Sequence, residues 1–94
     1  MKKDKKAVAL EYDLEKDKAP RVTAKGKGLI AERIIKIAKE KGIPIKEDPD
    51  LADMLYKVRI NEEIPPYLYR VVAEILAFIY KTKRKWKESL GKSI

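Results

Sequence analysis

Few side chains in this sequence are suited to catalysis, because its 94 residues include neither cysteine nor histidine. The chain therefore has no thiol nucleophile, no thiolate metal ligand and no imidazole to carry protons near neutral pH. Its serine and threonine hydroxyl groups, on Thr23, Thr82, Ser89 and Ser93, lack a histidine partner. Only a serine–lysine pair remains as a way to activate such a nucleophile. The composition predicts a protein that is not an enzyme and that binds no cofactor.

Two glycines form part of a motif that resembles a nucleotide-binding site. Gly26-x-Gly28-x-x-Ala31 matches the dinucleotide-binding fingerprint, and Asp48 follows about 20 residues later, where such proteins place a ribose-binding carboxylate. The segment before the glycines contains Thr23 and is too polar for the buried strand that the fingerprint follows, and 94 residues cannot form the two-lobed sheet that holds both nucleotides. Glycines that turn a strand into a helix explain the pattern better.

Four carboxylates lie within seven residues, at Glu47, Asp48, Asp50 and Asp53, and suggest a site for a hard cation. A calcium-binding loop needs alternating oxygen donors, a central glycine and a terminal glutamate, and this segment lacks that arrangement. Acidic residues are also favoured in the first turn of a helix, where they face the positive end of the helix dipole. The cluster therefore predicts the start of a helix and no metal site.

The net charge of +8 lies at the two ends of the chain. Residues 1–6 carry four lysines against one aspartate, and residues 81–94 carry six basic side chains against one glutamate, whereas the body between them has 13 of each sign. Nucleic-acid-binding proteins usually cluster their basic residues on a folded surface. We therefore predict no specific nucleic-acid partner, and a small basic nucleic-acid-associated protein is the alternative interpretation.

The elements that position these residues follow from the apolar pattern. Residues 7–12 form a short apolar run typical of a buried strand, residues 21–25 alternate as an edge strand does, and residues 43–45 are a brief third candidate. Apolar residues recur at helical spacing from 29 to 41, from 49 to about 57 and from 65 onward. This order predicts an α/β fold, a small mixed sheet of about three strands flanked by about three helices, in a single domain.

Local signals place the ends of these helices and their buried faces. Gly42 follows the first helical segment, where a glycine commonly ends a helix, and the turn before it is predicted at Gly26 to Gly28. Asp48 and Pro49 are the N-cap and the first residue of the next helix. The apolar stripes that include Ile34 and Ile75 are predicted to face the core.

The sequence contains no segment predicted to span a membrane. Its most hydrophobic stretch, residues 68–80, is interrupted by Arg70 and Glu74 and is shorter than the about 20 residues that cross a bilayer. The N-terminus has no apolar region of the kind found in signal peptides. We expect a cytoplasmic protein.

Seven short segments, in this order and spacing, resemble one family. The segments are residues 7–13, 19–22, 24–31, 47–49, 55–57, 63–65 and 72–77. Together they are similar to the cytoplasmic C-terminal domain of the FlhB/YscU group of type III export-switch proteins. The resemblance implies a domain at residues 7–81, with a basic N-terminal tail at 1–6 and a basic C-terminal tail at 82–94. It also implies a non-enzymatic component of the flagellar or related type III export apparatus, located in the cytoplasm or at the cytoplasmic face of that apparatus.

One departure from the family pattern concerns self-cleavage. Members of the family cut themselves at an Asn-Pro-Thr-His motif just before the Ala-Val-Ala-Leu strand, and the matching positions here are Lys2-Lys3-Asp4-Lys5. Without the asparagine, the cyclisation that breaks the backbone cannot occur. The resemblance is therefore to the C-terminal half that remains after cleavage, and we expect this chain not to cleave itself.

The resemblance also implies two binding features. In the family, a strand from upstream of the cleavage site joins the sheet, so the corresponding strand here is predicted to offer an open edge, formed by Ala7, Val8, Ala9, Leu10, Glu11 and Tyr12. A small apolar patch for docking export substrates is implied at Ala19, Pro20, Ala73 and Leu76, although Ala73 and Leu76 also fit an ordinary amphipathic helix. The implied partners are export substrates, export-apparatus proteins and the N-terminal part of a membrane-bound FlhB homologue.

Overall fold

A computed structural model of the chain describes residues 5–13 and 15–82. Two strands come first, β1 (Lys6–Glu11) and β2 (Arg21–Lys27), followed by helices α1 (Leu29–Glu40) and α2 (Pro49–Tyr56). A short 3-10 turn, Pro66–Leu68, leads into the last helix, α3 (Tyr69–Thr82). The two strands form an antiparallel sheet whose register shifts once, between Ala9 and Leu10. The predicted α/β class with three helices is therefore confirmed.

The sheet differs in detail from the mixed one predicted. Among the described residues, 43–45 do not form a third strand, because Pro44 lacks the N–H that a ladder requires. Instead, the segment after α2 lies along the outer edge of β2. Asn61 N–H donates to Val22 O at 2.6 Å, Val22 N–H donates to Glu62 O at 3.0 Å, and Ile64 N–H donates to the carbonyl of Pro20 at 2.9 Å. The sequence pattern identified only a turn there.

The predicted helix ends are confirmed. Gly42 has a φ of 71° and its N–H donates to Lys39 O, while Ile43 N–H reaches back to Ala38 O at 2.8 Å, the bonds of a Schellman ending. At the start of α2, the carboxylate of Asp48 accepts a hydrogen bond from Leu51 N–H at 3.1 Å, and proline occupies the first turn.

The core lies between α2, α3 and one face of the sheet. Its buried cluster is made of Ala19, Leu51, Leu55, Ile64, Leu68, Val72 and Leu76. Val8, Leu10 and Tyr12 pack against it from β1 and the residue that follows. The stripe predicted for the last helix does face the core, although Ile75 is only half-buried.

Helix α1 packs on the other face of the sheet. It contacts β1 and β2 and neither of the other helices. Ile30 lies against Gly26. The sequence pattern predicted a turn at Gly26, but this residue is part of β2. Only Ala31 of α1 is fully buried, whereas Ile30 is 61% exposed and Ile37 is 43% exposed. The prediction that this apolar stripe faces the interior is therefore wrong for Ile30 and Ile37, whereas Ile34 is half-buried. Two strands cover only part of a helix surface.

None of the helices in the described part of the chain combines the length and the apolar composition needed to cross a membrane. The predicted basic tails lie outside the described residues, except that Lys5 precedes β1, Lys6 begins it and Thr82 ends α3.

Candidate docking site

The four residues of the implied docking patch line one shallow groove of about 200 Å³. The connection between β1 and β2 forms one wall, and the first two turns of α3 form the other. The lining residues are Tyr12, Lys18, Ala19, Pro20, Tyr69, Val72, Ala73 and Leu76. Residues that are more than 50 positions apart in the sequence thus meet at one surface feature.

Two hydrogen bonds hold the Ala19–Pro20 wall in place. Lys18 N–H donates to a carboxylate oxygen of Glu63 at 3.1 Å, and the carbonyl of Pro20 accepts from Ile64 N–H at 2.9 Å. Both bonds tie the wall to the segment that precedes α3. Because that segment leads directly into α3, these two bonds, one to a side chain and one between backbone groups, hold the two walls of the groove relative to each other.

An ionic cluster at Arg21 fixes the base of the same connection. Its guanidinium lies 3.1 Å from Glu11 and 3.1 Å from Asp17, and the Asp17 side chain is nearly buried. Asp17 also accepts a hydrogen bond from Asp13 N–H at 3.0 Å. Because one arginine joins β1, the connection and β2, the loop is held in a defined shape.

The opposite wall follows from helical spacing. Ala73 and Leu76 are three residues apart on α3 and therefore lie on one face, and Tyr69 precedes Ala73 by four residues. Leu76 and Val72 are buried and form an apolar floor, whereas Ala73 and Tyr69 are exposed at the rim. The same spacing could have identified Tyr69 from the sequence, which the resemblance alone did not.

The groove is suited to binding a small apolar side chain of a partner protein. Its floor is aliphatic, Tyr69 is exposed at the rim, and Lys18 supplies one positive charge. Ala73 is short, so its own side chain leaves the floor accessible.

The structure also places the predicted strand edge. β1 pairs with β2 on one side, and no described strand lies along its other side. Gly28 N–H donates to Lys5 O, and the Thr23 hydroxyl donates to Ala9 O, so the carbonyls of residues 5 and 9 point toward β2. Alternation along the strand then directs the N–H and C=O of Val8 toward the open edge.

The remaining sequence candidates have packing roles. Asp48 caps α2, and Asp53 forms an ion pair with Lys6 at 3.0 Å. A Cβ at Gly26 would collide with the side chain of Ile30, so close helix–strand packing accounts for this glycine of the fingerprint. Among the described residues, no three histidines, cysteines or carboxylates are grouped where they could hold a metal ion.

The sequence pattern did not indicate the structural role of one lysine. The ammonium group of Lys25 donates to the carbonyls of Tyr56 at 2.8 Å and Val58 at 2.9 Å, and lies 5.1 Å from the centre of the Tyr56 ring. These carbonyls belong to the end of α2 and the residues beyond it. A lysine in an alternating strand does not by itself indicate such hydrogen bonds, because the carbonyls that accept them are over 30 residues away in the sequence.

A second and larger groove, of about 620 Å³, lies along the other flank of α3. The loop before α2 forms its outer wall, and Phe78, which is 65% exposed, stands at its edge. Its apolar lining is made of Pro44, Ile45, Val71, Ile75, Phe78 and Ile79. This groove was not anticipated, because the sequence pattern placed residues 43–45 in the sheet.

Comparison with known proteins shows which family the chain matches over most of its length. The model of the FlhB HrpN YscU SpaS family matches residues 4–79. The chain belongs to this family. It is 54% identical over 77 residues to YlqH of Bacillus subtilis (strain 168), a match that covers 82% of this chain and 83% of YlqH. It is 50% identical over 80 residues to the flagellar biosynthetic protein FlhB of Aquifex aeolicus (strain VF5), covering 84% of this chain and 23% of FlhB.

The fold is likewise that of the family's C-terminal domain. The crystal structure of the cytoplasmic domain of FlhB from Shewanella putrefaciens superposes with a TM-score of 0.77 at 33% identity, covering 92% of this chain and 67% of that one. The chain thus spans less than a quarter of the Aquifex FlhB that it matches, while it spans most of YlqH. The resemblance stated from the sequence is confirmed.

Proposed function

We propose that this protein is a non-enzymatic component of the flagellar or related type III export apparatus that presents a docking surface for export substrates. It would act in the cytoplasm or at the cytoplasmic face of the apparatus. The observation that carries the proposal is the groove in which Ala19 and Pro20 meet Ala73 and Leu76. Membership of the FlhB family and the match to FlhB cytoplasmic domains support it.

The shape of the groove suits recognition by contact. An apolar floor next to an exposed tyrosine is typical of a surface that takes a short apolar anchor from a partner and holds it with a few hydrogen bonds. The bonds that fix the connection between β1 and β2 mean that little order is lost on binding. We expect modest affinity and fast exchange, as befits a protein that handles many substrates in turn.

The open edge of β1 offers a second contact within the same function. A segment of a membrane-bound FlhB homologue that precedes its cleavage site would pair along Ala7–Tyr12 by strand addition. The outward N–H and C=O of Val8 support this pairing.

The docking groove is tested by changing its rim without disturbing its floor. Ala73→Glu places a charge beside the apolar floor, and Ala77→Glu places the same charge on another exposed alanine of α3 that does not line the groove. Both proteins are titrated calorimetrically with a purified flagellar export substrate in about 150 mM salt, where binding driven by the basic tails alone is weakened.

We expect Ala73→Glu to weaken binding about tenfold or more and Ala77→Glu to leave it unchanged. Equal affinities of the two variants would reject the groove as the docking site. Binding that disappears from both variants and from the parent protein as salt rises would instead support an electrostatic role for the tails.

A further inference from the structure

An exposed apolar stripe runs along α1, and none of its residues lines either groove. Ile30, Ile34 and Ile37 follow one another at intervals of four and three residues and therefore share one side of the helix. Ile30 and Ile37 are 61% and 43% exposed, and Ile34 is half-buried. We call these three residues the α1 stripe. Contiguous exposed isoleucines are unusual in a chain of which 40% of the residues are charged, and such a patch commonly marks an interface.

No described element covers the α1 stripe. Helix α1 rests on the sheet face opposite to the core, and its only contacts with other elements are with β1 and β2. The docking groove lies on the core side, between the β1–β2 connection and α3. A partner on the α1 stripe would therefore leave the docking groove open.

Two charged residues beside the stripe can pair with the same two residues of a second copy whose α1 runs antiparallel. Arg33 and Glu40 are seven residues apart and flank the stripe on its exposed side. When two α1 helices run antiparallel with Ile34 of one against Ile37 of the other, Arg33 of each copy falls within side-chain reach of Glu40 of the other. Neither residue has an ion-pair partner among the described residues of its own chain.

We infer that the α1 stripe is the interface of a symmetric homodimer, in which α1 packs antiparallel against α1 of a second copy. The two isoleucine contacts and the two ion pairs repeat across the twofold axis, as an isologous interface requires. A helix from an unrelated partner would have to match the same alternation of isoleucine and opposite charges by chance. This inference goes beyond the proposed function, because it gives one particle two docking grooves that both face away from the interface.

The dimer is tested with the full chain by analytical ultracentrifugation between about 1 and 500 µM, a range that captures weak association. Ile37→Lys places a charge in the stripe, and Ile60→Lys makes the same change at an isoleucine that is 49% exposed in the loop after α2. We expect the parent and Ile60→Lys to dimerise with the same dissociation constant and Ile37→Lys to weaken dimerisation at least about tenfold. A parent protein that stays monomeric across this range overturns the inference, as does a dimer that Ile37→Lys leaves intact.

The antiparallel register is tested separately by exchanging charges and by cross-linking. Glu40→Arg should weaken the dimer, and the double variant Arg33→Glu with Glu40→Arg should restore it, because the pairs are then reversed but complementary. The chain has no cysteine, so a mixture of the Ile34→Cys and Ile37→Cys proteins reports only the introduced thiols. The mixed disulfide should form faster than either homodisulfide. The antiparallel arrangement would be contradicted if the double variant did not restore the dimer and the homodisulfides formed faster than the mixed disulfide.

Discussion

At the scale of single residues, polar side chains connect the two strands to the segments around them. Arg21 joins β1, its connection and β2, and Lys25 joins β2 to the end of α2. The Lys25 ammonium is half-buried and donates to two backbone carbonyls that the helix itself cannot satisfy. Because a buried carbonyl without a partner is costly, this lysine contributes to the position of α2 as well as to its end.

Replacing Lys25 by methionine should therefore destabilise the fold. The substitution keeps the apolar stem but leaves the carbonyls of Tyr56 and Val58 without their charged donor. We expect the free energy of unfolding to fall by about 1–3 kcal/mol, the usual range for hydrogen bonds to a charged group. Urea unfolding followed by circular dichroism measures it. Lys27→Met at the exposed end of the same strand is the control, and equal effects of the two changes would disprove the role of Lys25.

At the scale of elements, the sequence predicted which segments are helical better than which of their faces are buried. The period of apolar residues and the signals at Gly42 and Asp48 located α1 and α2 to within about a residue. Periodicity cannot show how much of an apolar face the neighbouring element covers. In α1 the neighbour is only a two-stranded sheet, so much of the face of Ile30 and Ile37 remains exposed.

The pairing of the sheet and the position of the groove also could not be predicted from the local sequence pattern. Residues 43–45 have the composition of a strand but do not pair with the sheet. Residues 61–64 lie along β2 instead. The local sequence pattern does not show which segment pairs with a strand. The four groove residues came from a family resemblance and not from local pattern. The structure brings them together because the ties from Lys18 and Pro20 to residues 63 and 64 place the β1–β2 connection against α3.

A pair of core substitutions tests the faces as the structure assigns them. Leu68 is 2% exposed in the buried cluster, whereas Ile75 is a half-buried neighbour of it. Leu68→Ala should lower the free energy of unfolding by about 2–5 kcal/mol, and Ile75→Ala should lower it by about half as much or less. Thermal and urea unfolding of the two variants give the comparison. A larger loss for Ile75→Ala would show that α3 is rotated relative to this description.

At the scale of the whole molecule, the two proposed binding features lie next to each other. Tyr12 directly follows β1, whose edge is proposed to take an added strand, and it also lines the proposed docking groove. A strand added along β1 would therefore run toward the groove that export substrates are proposed to use. The sheet face under α1 is separate from both, so association through α1 and binding at the groove are independent in space.

Strand addition along β1 is tested by removing one backbone donor at a time. In protein assembled by peptide ligation, N-methylvaline at position 8 removes the N–H that points outward, and N-methylalanine at position 9 removes one that points toward β2. The probe is a synthetic peptide of the FlhB segment that precedes the cleavage motif. We expect the first change to weaken peptide binding about fivefold, with little loss of stability, and the second to lower stability instead. Unchanged binding with N-methylvaline would reject strand addition.

The most direct test of the account is an NMR titration of the ¹⁵N-labelled protein with a purified flagellar export substrate in about 150 mM salt, because it reports where docking occurs residue by residue. We expect saturable shifts of the amides of Ala19, Tyr69, Ala73 and Leu76, which surround the groove, while the amides of Ile34 and Ile37 on the opposite sheet face stay in place. Saturable shifts confined to the lysine-rich ends, or to α1, would contradict the central claim that this groove is the docking surface.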